Sequence, residues 1–463
     1  MLRCEAHADC LIDELLPEEV KLLSDELVRV DRLLDDPAVL VAFRRHWDQP
    51  GLGHGRPSIP MASFVRLMWL KNATGWGYER LMAQVSDSLQ LRRFCRIPVV
   101  EEVPDESTVR KLVRRLGPEV VDEATRAVVK EAVAHRGFRP RALRADSTVA
   151  EADIRYPTDI GLCADAVRVL AKAARRVRAA IPDATKHVVN RSRAVGKRVR
   201  AIGRSLRKRT GEAKAAVQTL TEEAATQVRT SLGESTKLLA QAKASTATAE
   251  GVSPRARAKA VKKLEGWIVL SGRVVDQIRM RFAGEKIPDR LVSLFDSDAR
   301  PVRRGKAAKP NEFGYVVQLT EVTTSTKPGT PSLLLPPKLA AGSTPENTLL
   351  PQSVAELNGL GIRVREASFD AGFTRKATEE ALPGLERIFI AGDKNNAGSQ
   401  RTRRRLAKYR VGCEGRIAHH KREHQGGRCR LKGTVGARIW QSWAALSYDI
   451  DTVAGMPVKN DSG

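Results

Sequence analysis

Cysteine is scarce in this sequence, and its spacing does not suggest disulfide bonds. The six cysteines stand at positions 4, 10, 95, 163, 413 and 429, and none belongs to a C-x-x-C pair. Isolated thiols are typical of a reducing compartment, whereas small secreted domains carry cysteines that pair. We therefore expect free thiols and a cytoplasmic protein.

Long apolar runs are also missing. No stretch approaches the roughly 20 apolar residues that a membrane-spanning helix needs. Residues 1–20 lack the basic segment and apolar run of a signal peptide. The hydrophobic fraction of 42% still suffices for packed cores, and 463 residues are enough for two to four domains.

Acidic residues are too few to balance the basic ones. Lysine and arginine number 80 against 54 acids, which gives a net charge of +26. Such an excess most often meets a polyanion, because neutralising phosphates releases condensed counterions. A layer of solvating lysines is the alternative, but arginine predominates, and its guanidinium suits bidentate contact with phosphate. The charge therefore favours a nucleic-acid partner.

Residues 1–139 are predicted to be helical. Apolar residues recur at helical spacing over 16–34, two further helices are broken at "ATGWG" (73–77), and "VPDESTVRKLVRRLG" (103–117) predicts a capped helix that stops at Gly117–Pro118. In that last helix Arg110 and Arg114 stand four residues apart on one face. Such helices fit a helix-turn-helix-like DNA module, or equally an ordinary bundle with a solvated basic face.

Residues 164–291 are rich in Ala, Lys and Arg and predict several long helices. No acid occurs between 184 and 211. At about 100° per residue, two stripes fall on nearly opposite faces of one helix. The basic stripe, which we expect to contact DNA phosphates unless the helix is a solvated spacer, consists of Arg193, Lys197, Arg200, Arg204 and Arg207; the apolar stripe consists of Val195, Val199, Ile202 and Leu206.

From residue 311 the apolar pattern changes to period two, which indicates strands. "EFGYVVQLTEV", "PSLLLP", "IRVREASFD" and "RIFIAG" read as strands, and 344–361 as a helix between them. A short strand over 140–149 leads into Asp146. The sequence therefore predicts one α/β domain over 140–163 and 292–450, interrupted by 164–291 and followed by a tail over 451–463.

Three acids are candidates for chemistry. Asp146 and Asp370 are each predicted to end a strand, and Glu414 lies in the last basic segment. Three such carboxylates can converge to hold two divalent cations, which activate a water or a 3′-hydroxyl and stabilise a leaving oxygen. Taken singly, a strand-end Asp near a Gly is more often a turn residue. A Glu on a basic helix is more often an ion-pair partner.

Several motifs occur together and in order. They are "GRPSIP", "GWGYERL", "LQLRRFCRIP" and "VPDESTVRKLVRRLG" in the first part, "LRADSTVAEADIRYPTD" around Asp146, "DARPVRRGKAAKPNEFGYVVQL" before the second strand, and "SFDAGF" at Asp370. With these motifs the chain resembles bacterial insertion-sequence transposases of the Asp-Asp-Glu (DDE) class over most of its length. The resemblance implies an RNase H-like core (a mixed sheet flanked by helices), an all-α N-terminal domain and a long all-α insertion.

The third motif of that class has a fixed spacing. Arg stands four residues before the Glu and Lys seven after it, and Arg410, Glu414 and Lys421 satisfy both gaps. The motif's Tyr belongs at position 407, which is Ala, and the nearest tyrosine is Tyr409.

The resemblance implies roles for these residues. Asp146, Asp370 and Glu414 would bind two Mg²⁺ ions, for which Mn²⁺ would substitute, and Arg410 and Lys421 would contact phosphates. The expected reaction is hydrolysis at the ends of an insertion sequence, followed by transesterification of the 3′-hydroxyl into target DNA. Double-stranded DNA, a homodimer in the synaptic complex and a bacterial nucleoid location follow as expectations, and no nucleotide cofactor is expected.

Two other functions stay open from the sequence. One is a decayed transposase that binds DNA without cutting it, and the other is an RNase H-like nuclease without strand transfer. A zinc site made of Cys413, His419, His420, His424 and Cys429 is disfavoured, because the spacing matches no common finger.

Overall fold

The computed structural model describes residues 14–47, 59–205, 207, 210–303, 311–342 and 344–458. The protein is a mixed α/β chain that is mostly helical. It divides into two compact units, one made of Met1–Asp153 with Val302–Gly463 and the other of Ile154–Pro301. Four buried cysteines are free thiols, Cys95, Cys163, Cys413 and Cys429; Cys4, Cys10 and the basic linker over 304–310 lie outside the described residues.

Helices form the described part of the chain before the first strand. The predicted helix over 16–34 is split in two, because Ser24 leaves the helical conformation and caps the second part. The predicted break at "ATGWG" is confirmed, with Gly75 at a φ of 74° after the helix end. The helices are α1 (Glu18–Lys21), α2 (Asp25–Leu34), α3 (Pro37–Trp47), α4 (Met61–Thr74), α5 (Tyr78–Asp87), α6 (Leu89–Phe94) and α7 (Glu106–His135).

Helix α7 is interrupted where the sequence predicts a stop. Gly117 has a φ of 75° and a ψ of −176°, outside the helical region, and Pro118 follows it. The side chain of Asp105 caps the beginning of α7 by accepting from Ser107 N (2.7 Å). The chain resumes as a helix after Pro118, because proline fits the first turn of a helix.

A mixed sheet follows, with the strand order β2-β3-β1-β6-β7. β1 pairs antiparallel with β3 and parallel with β6, and β6 pairs parallel with β7. Strands β4 and β5 pair with β3, and β8 pairs with β1. The strands are β1 (Ala142–Ala152), β2 (Arg300–Arg303), β3 (Asn311–Thr323), β4 (Ser332–Leu334), β5 (Lys338–Ala341), β6 (Glu366–Phe369), β7 (Arg387–Ile390) and β8 (Arg428–Cys429).

The first strand corrects one prediction. Asp146 does not end a strand; it lies in the middle of β1, which continues to Ala152. β1 stays extended because its pairing with β3 runs from Ala142 to Glu151 without a break. A polar residue therefore does not mark the end of this strand, because pairing with β3 continues past it.

The long helix α15 (Gly433–Ala454) contacts both the sheet and the N-terminal helices. Tyr448 of α15 packs with Leu334 of the sheet, and Trp443 stacks on Phe43 of α3 with 5.7 Å between ring centroids. The N-terminal helices and the sheet therefore share one hydrophobic core through α15. The helices of the second half of the sheet unit are α12 (Leu350–Gly359), α13 (Arg375–Ala381), α14 (Gln400–Arg422) and α15 (Gly433–Ala454).

The unit over 154–301 is built of helices around its own core. The side chain of Thr158 caps the first helix by accepting from Gly161 N (3.1 Å). The next acid, Asp159, is buried and pairs with Arg281 and Arg290. The helices are α8 (Asp159–Ala180), α9 (Ser192–Ser205), α10 (Gly211–Ala244) and α11 (Pro254–Phe282). Among the described residues, no helix is both long enough and apolar enough to cross a membrane.

The close approach of β3 to β1 gives a test of the sheet. A Cβ at Gly314 would collide with the carbonyl oxygen of Ala150 and lie 2.8 Å from Ala152 N. Because backbone atoms of a central strand cannot move aside, we expect Gly314→Ala to lower the free energy of unfolding by about 1–3 kcal/mol, measured by urea denaturation. Gly359→Ala is the control, since a Cβ there meets nothing within 4 Å. An equal loss in both variants would contradict the register.

Candidate functional site

Strand register brings the first two predicted acids together. β1 and β6 are parallel, and Ala145 is the partner of Phe369. The next residues along the two strands, Asp146 and Asp370, therefore lie at adjacent positions and on the same face. Asp146 is only 8% exposed, whereas the Asp370 side chain, just past the end of β6 as predicted, is 43% exposed.

Helix α14 supplies the third acid. Ser399 caps the helix, and one turn separates Arg410 from Glu414. The Arg410 guanidinium donates to Asp370 Oδ1 (3.4 Å) and to Glu414 Oε1 (3.2 Å), so one cation bridges two of the three acids. The Glu414 side chain is 65% exposed. This turn of α14 lies near β1. Cys413, the residue before Glu414, is buried, and burial together with the nearby charges of Glu321 and Asp146 raises the pKa of its thiol.

The positions of the three acids limit which of them could hold a metal ion together. Asp146 and Asp370 offer adjacent carboxylates, which suit Mg²⁺. Nevertheless, the described residues contain no group of three or more His, Cys, Asp or Glu side chains placed to hold a metal ion. Asp146 and Asp370 are the residues that could hold a cation together, and Glu414 could join them only after leaving Arg410.

A further carboxylate that the sequence does not single out, that of Glu346, lies against Gly372 in the loop that follows Asp370. A Cβ at Gly372 would lie 2.8 Å from the carboxyl carbon of Glu346, so only glycine leaves room for that side chain. Glu346 begins a 3-10 turn upstream of α12, and no spacing rule connects it to Asp370. Packing alone brings it to this loop.

Sequence reasoning also missed the ion pairs beneath the acids. Glu321 of β3 is only 1% exposed, and its carboxylate accepts from Arg144 Nε and, at 2.9 Å, from Arg416 Nε. Arg144 stands two residues before Asp146, and Arg416 stands two residues after Glu414. Glu321 thus connects the strand and the helix that carry two of the acids. The available signal was an acid inside an apolar β run, which requires buried partners.

Residues of α14 pack closely around the Arg144 guanidinium that pairs with Glu321. Arg144 donates to the carbonyl of Tyr409 (2.6 Å) and its guanidinium lies 4.7 Å from the Tyr409 ring. A Cβ at Gly412 would lie 3.0 Å from Cζ of Arg144, so glycine lets the guanidinium lie against the helix. Tyr409 is itself buried and shares a hydrogen bond with Thr323 (2.7 Å). In this structure Tyr409 is therefore part of the core beneath the site.

Burial and ion pairing act in opposite directions on the Glu321 carboxyl. Burial alone would raise the pKa of Glu321, but its bond to Arg144 and the charges of Arg144 and Arg416 outweigh burial and lower that pKa below its usual value of 4.5. Glu321 is therefore ionised at neutral pH and balances one of the two guanidiniums.

Two of the histidines near the end of α14, His420 and His424, are buried, whereas His419 is exposed. His420 is buried, and its Nε2 lies 2.9 Å from Gln441 Oε1. The rings of His419 and His424 have centroids 5.0 Å apart. Burial lowers the pKa of His420 to about 4 and that of His424 to about 3, so both rings are neutral at pH 7.

The predicted DNA-binding residues on helices lie on accessible faces. Arg110 and Arg114 are exposed on α7, and Arg110 also pairs with Glu106. Lys421 is half-buried in the last turn of α14. Arg410, in contrast, contacts acids.

On α9, Arg193, Lys197, Arg200 and Arg204 are all exposed, and Arg207 is exposed just beyond the helix end.

The apolar stripe of α9 is only partly as predicted. Val195 and Ile202 are buried in the core of the helical unit. Val199 is 36% exposed, so its assignment to the packed face is wrong. Among the described residues of the stripe, Val195 and Ile202, seven positions apart, belong to that core, and Val199 lies between them at the edge of the packed face. Leu206 lies outside the described residues.

The Glu321 ion pairs can be tested by stability measurements. We expect Glu321→Ala to lower the free energy of unfolding by about 3–5 kcal/mol, because it leaves Arg144 buried without a counter-charge. Glu379→Ala is a control, since Glu379 pairs with Arg375 on an exposed helix face and should contribute no more than about 1 kcal/mol. Similar losses in both variants would contradict the role of Glu321.

The same pair predicts a pH dependence. Because the folded-state pKa of Glu321 lies below its unfolded value, its stabilisation is present above pH 4.5 and is lost as the pH falls through the folded-state pKa. Glu321→Ala should therefore lose less stability than the wild type between about pH 5 and 3. Parallel curves for the two proteins would show that another group causes the acid sensitivity.

Part of the chain is similar to known proteins. Residues 13–115 match the family described as "Transposase domain (DUF772)". The chain is also 28% identical, over 127 residues, to the "Uncharacterized protein ORF8 in nfe locus" of Rhizobium meliloti; the match covers 26% of this chain and 61% of that protein, so less than two thirds of the relative's length is spanned. No solved structure is significantly similar to the chain. The family match over residues 13–115 supports a transposase-like protein.

Proposed function

We propose that this chain is a DNA transposase of the DDE class with an RNase H-like core. The observation that carries the proposal is the adjacency of Asp146 and Asp370 on parallel strands, with Glu414 joined to Asp370 through Arg410. The match of residues 13–115 to a transposase domain and the net charge of +26 support it.

Asp146 and Asp370 would hold Mg²⁺, and Glu414 would join them after parting from Arg410. Two such ions would activate the nucleophile, a water or a 3′-hydroxyl, and would stabilise the leaving oxygen of a phosphodiester. Arg410, once released, would contact a phosphate near the cut, since charge-assisted bonds to phosphate are strong. Lys421 lies on the same helix about 16 Å further along and would contact the DNA strand at a second position.

The proposed substrates are the terminal inverted repeats of an insertion sequence and its target DNA. Cleavage at each end frees a 3′-hydroxyl, which then joins the target by transesterification. Both ends must be processed together, which favours a homodimer on DNA in the bacterial nucleoid. In this scheme residues 1–139 bind the ends, and the helices over 164–291, an insertion in the core, grip DNA through the exposed face of α9.

A second candidate is a protein that binds DNA without cutting it. The contacts of Arg410 with Asp370 and Glu414 favour it, because an internal cation can offset both carboxylates without a metal. Measuring DNA cleavage distinguishes the transposase from a protein that only binds DNA.

Substitution of the paired acids tests the proposal. We expect Asp146→Asn and Asp370→Asn each to reduce Mg²⁺-dependent nicking of DNA bearing the element's ends by about 10²-fold or more, because metal catalysis is worth several kcal/mol. The measurement is single-turnover cleavage of labelled ends, followed by joining of a pre-cleaved end, which a simple nuclease cannot perform.

Asp153→Asn is the matched control for this experiment. Asp153 follows the same strand, is exposed, and pairs with Arg428 (2.6 Å) away from the paired acids. Its substitution should leave nicking unchanged. If Asp146→Asn cuts as well as the wild type, the catalytic assignment is wrong and the DNA-binding candidate remains.

The exposed face of α9 predicts a salt-dependent contact. Within the described residues, neither Arg200 nor Arg204 forms an ion pair. We expect the double variant Arg200→Ala/Arg204→Ala to weaken DNA binding and to reduce the slope of log K against log salt by about 2, since each phosphate contact contributes about 0.9. Fluorescence anisotropy at several salt concentrations measures this slope.

Arg198→Ala serves as the control on the same helix. Arg198 pairs with Glu223 (2.7 Å) and is less exposed, so its guanidinium is already occupied. We expect its removal to leave the salt slope close to that of the wild type. An unchanged slope in the double variant would exclude α9 from the DNA interface.

A further inference from the structure

A cavity of 790 Å³ lies in the sheet unit, on the side of α14 away from the candidate acids. Its wall is formed by the end of β3, the loop over 324–331, helix α14 and the end of α15. Glu414 and Arg410 point along one side of α14, whereas Lys408, Gly412 and Arg416 fall on the opposite side at about 100° per residue. The cavity is therefore distinct from the site described above.

The charges around this cavity have one sign. The charged residues that line it are Arg144, Lys327, Lys408 and Arg416, and none of its described lining residues is acidic. Arg144 and Arg416 share the single charge of Glu321 beneath the wall. Lys327 and Lys408 are exposed, and neither forms an ion pair within the described part of the chain. Three positive charges are therefore left without a counter-charge around one concave surface.

The two guanidiniums are held rigidly rather than free in solvent. Arg416 lies over the ring of Tyr448 at 4.6 Å and Arg144 over the ring of Tyr409 at 4.7 Å. Each is also fixed by Glu321, so neither needs to be ordered when an anion arrives. A pre-organised cationic wall binds an anion at a lower entropic cost than mobile lysines do.

The rest of the wall is suited to more than a bare phosphate. Pro331, Met456 and the ring of Tyr448 supply apolar surface, and Thr330 and Ser332 supply hydroxyl groups. The volume lies within the range of pockets that bind small organic ligands. The cavity therefore combines a cationic part with an apolar part of the size that a base and sugar require.

We propose that this cavity binds a nucleotide through its phosphate, with Lys327 and Lys408 contacting the phosphate beside the two fixed guanidiniums. The ligand is a free nucleotide or the phosphorylated end of a DNA strand, which share this chemistry. The proposal goes beyond the DNA cleavage proposed above, since it requires neither a metal nor the acids.

Binding without cleavage tests this inference. The full chain carrying Asp146→Asn, in EDTA, is titrated with deoxythymidine 5′-monophosphate, with thymidine, and with a short 5′-phosphorylated single strand, followed by calorimetry. We expect the monophosphate to bind saturably and thymidine at least about tenfold more weakly, because charge-assisted bonds dominate. This variant in EDTA is not expected to cleave DNA, so nucleotide binding is measured independently of cleavage. A failure of one proposal is therefore distinguished from a failure of the other.

Two double variants with equal charge loss provide the control. Lys327→Ala/Lys408→Ala should weaken monophosphate binding by about tenfold or more. Lys130→Ala/Lys376→Ala removes two exposed lysines outside the cavity and should bind like the parent. Circular dichroism and thermal melting establish that both variants fold.

The possible outcomes decide the proposal and the source of the ligand. Absence of saturable monophosphate binding, or equal losses in the two double variants, would overturn it. If the phosphorylated strand binds more tightly than the monophosphate and loses that gain in Lys327→Ala/Lys408→Ala, the site takes a DNA end. If strand and monophosphate bind equally, with the same dependence on these lysines, the site takes a free nucleotide.

Discussion

Glu321 lies inside a central strand, where a carboxylate without partners would be costly. Two arginines from different elements satisfy it, Arg144 from β1 and Arg416 from α14. Since Asp146 and Glu414 lie two residues from these arginines, the same ion pairs that make the buried charge tolerable also set the position of helix α14 on the sheet. Glu321, Arg144 and Arg416 therefore hold the strand and the helix of the candidate site in place, although the sequence predicted none of these three residues as part of the site.

Helix α14 separates two kinds of electrostatic environment. One side carries Glu414 and Arg410 toward Asp370, where acids and a cation offset each other. The other side contributes Lys408 and Arg416 to a cavity without acids. The chain's overall excess of positive charge is thus not uniform. Acids lie close together at the carboxyl end of β6, whereas cations without counter-charges are concentrated elsewhere, as on α9.

The sequence alone was enough to predict the helix caps and helix breaks that depend on a few neighbouring residues. Caps at Asp105 and Thr158 and the breaks at Gly75 and Gly117 follow from side-chain and backbone preferences of a few residues. It was insufficient where partners distant in sequence decide. β1 extends past Asp146 because β3, about 170 residues away, pairs with it, and Val199 is exposed because it lies at the edge of the face of α9 that packs into the core. Arg410 binds acids instead of standing free for phosphate because Asp370 and Glu414 meet on its two sides.

By itself, the sequence determined composition, charge, the order of helices and strands, and which acids match a spacing motif, because these depend on neighbours along the chain. Only the tertiary structure decided which acids meet. The parallel register of β1 with β6 brings Asp146 beside Asp370, and the buried Glu321 brings Arg416, and with it Glu414, onto the sheet. Those contacts join residues 95 or more positions apart, and their energies come from burial and ion pairing that no local pattern of residues encodes.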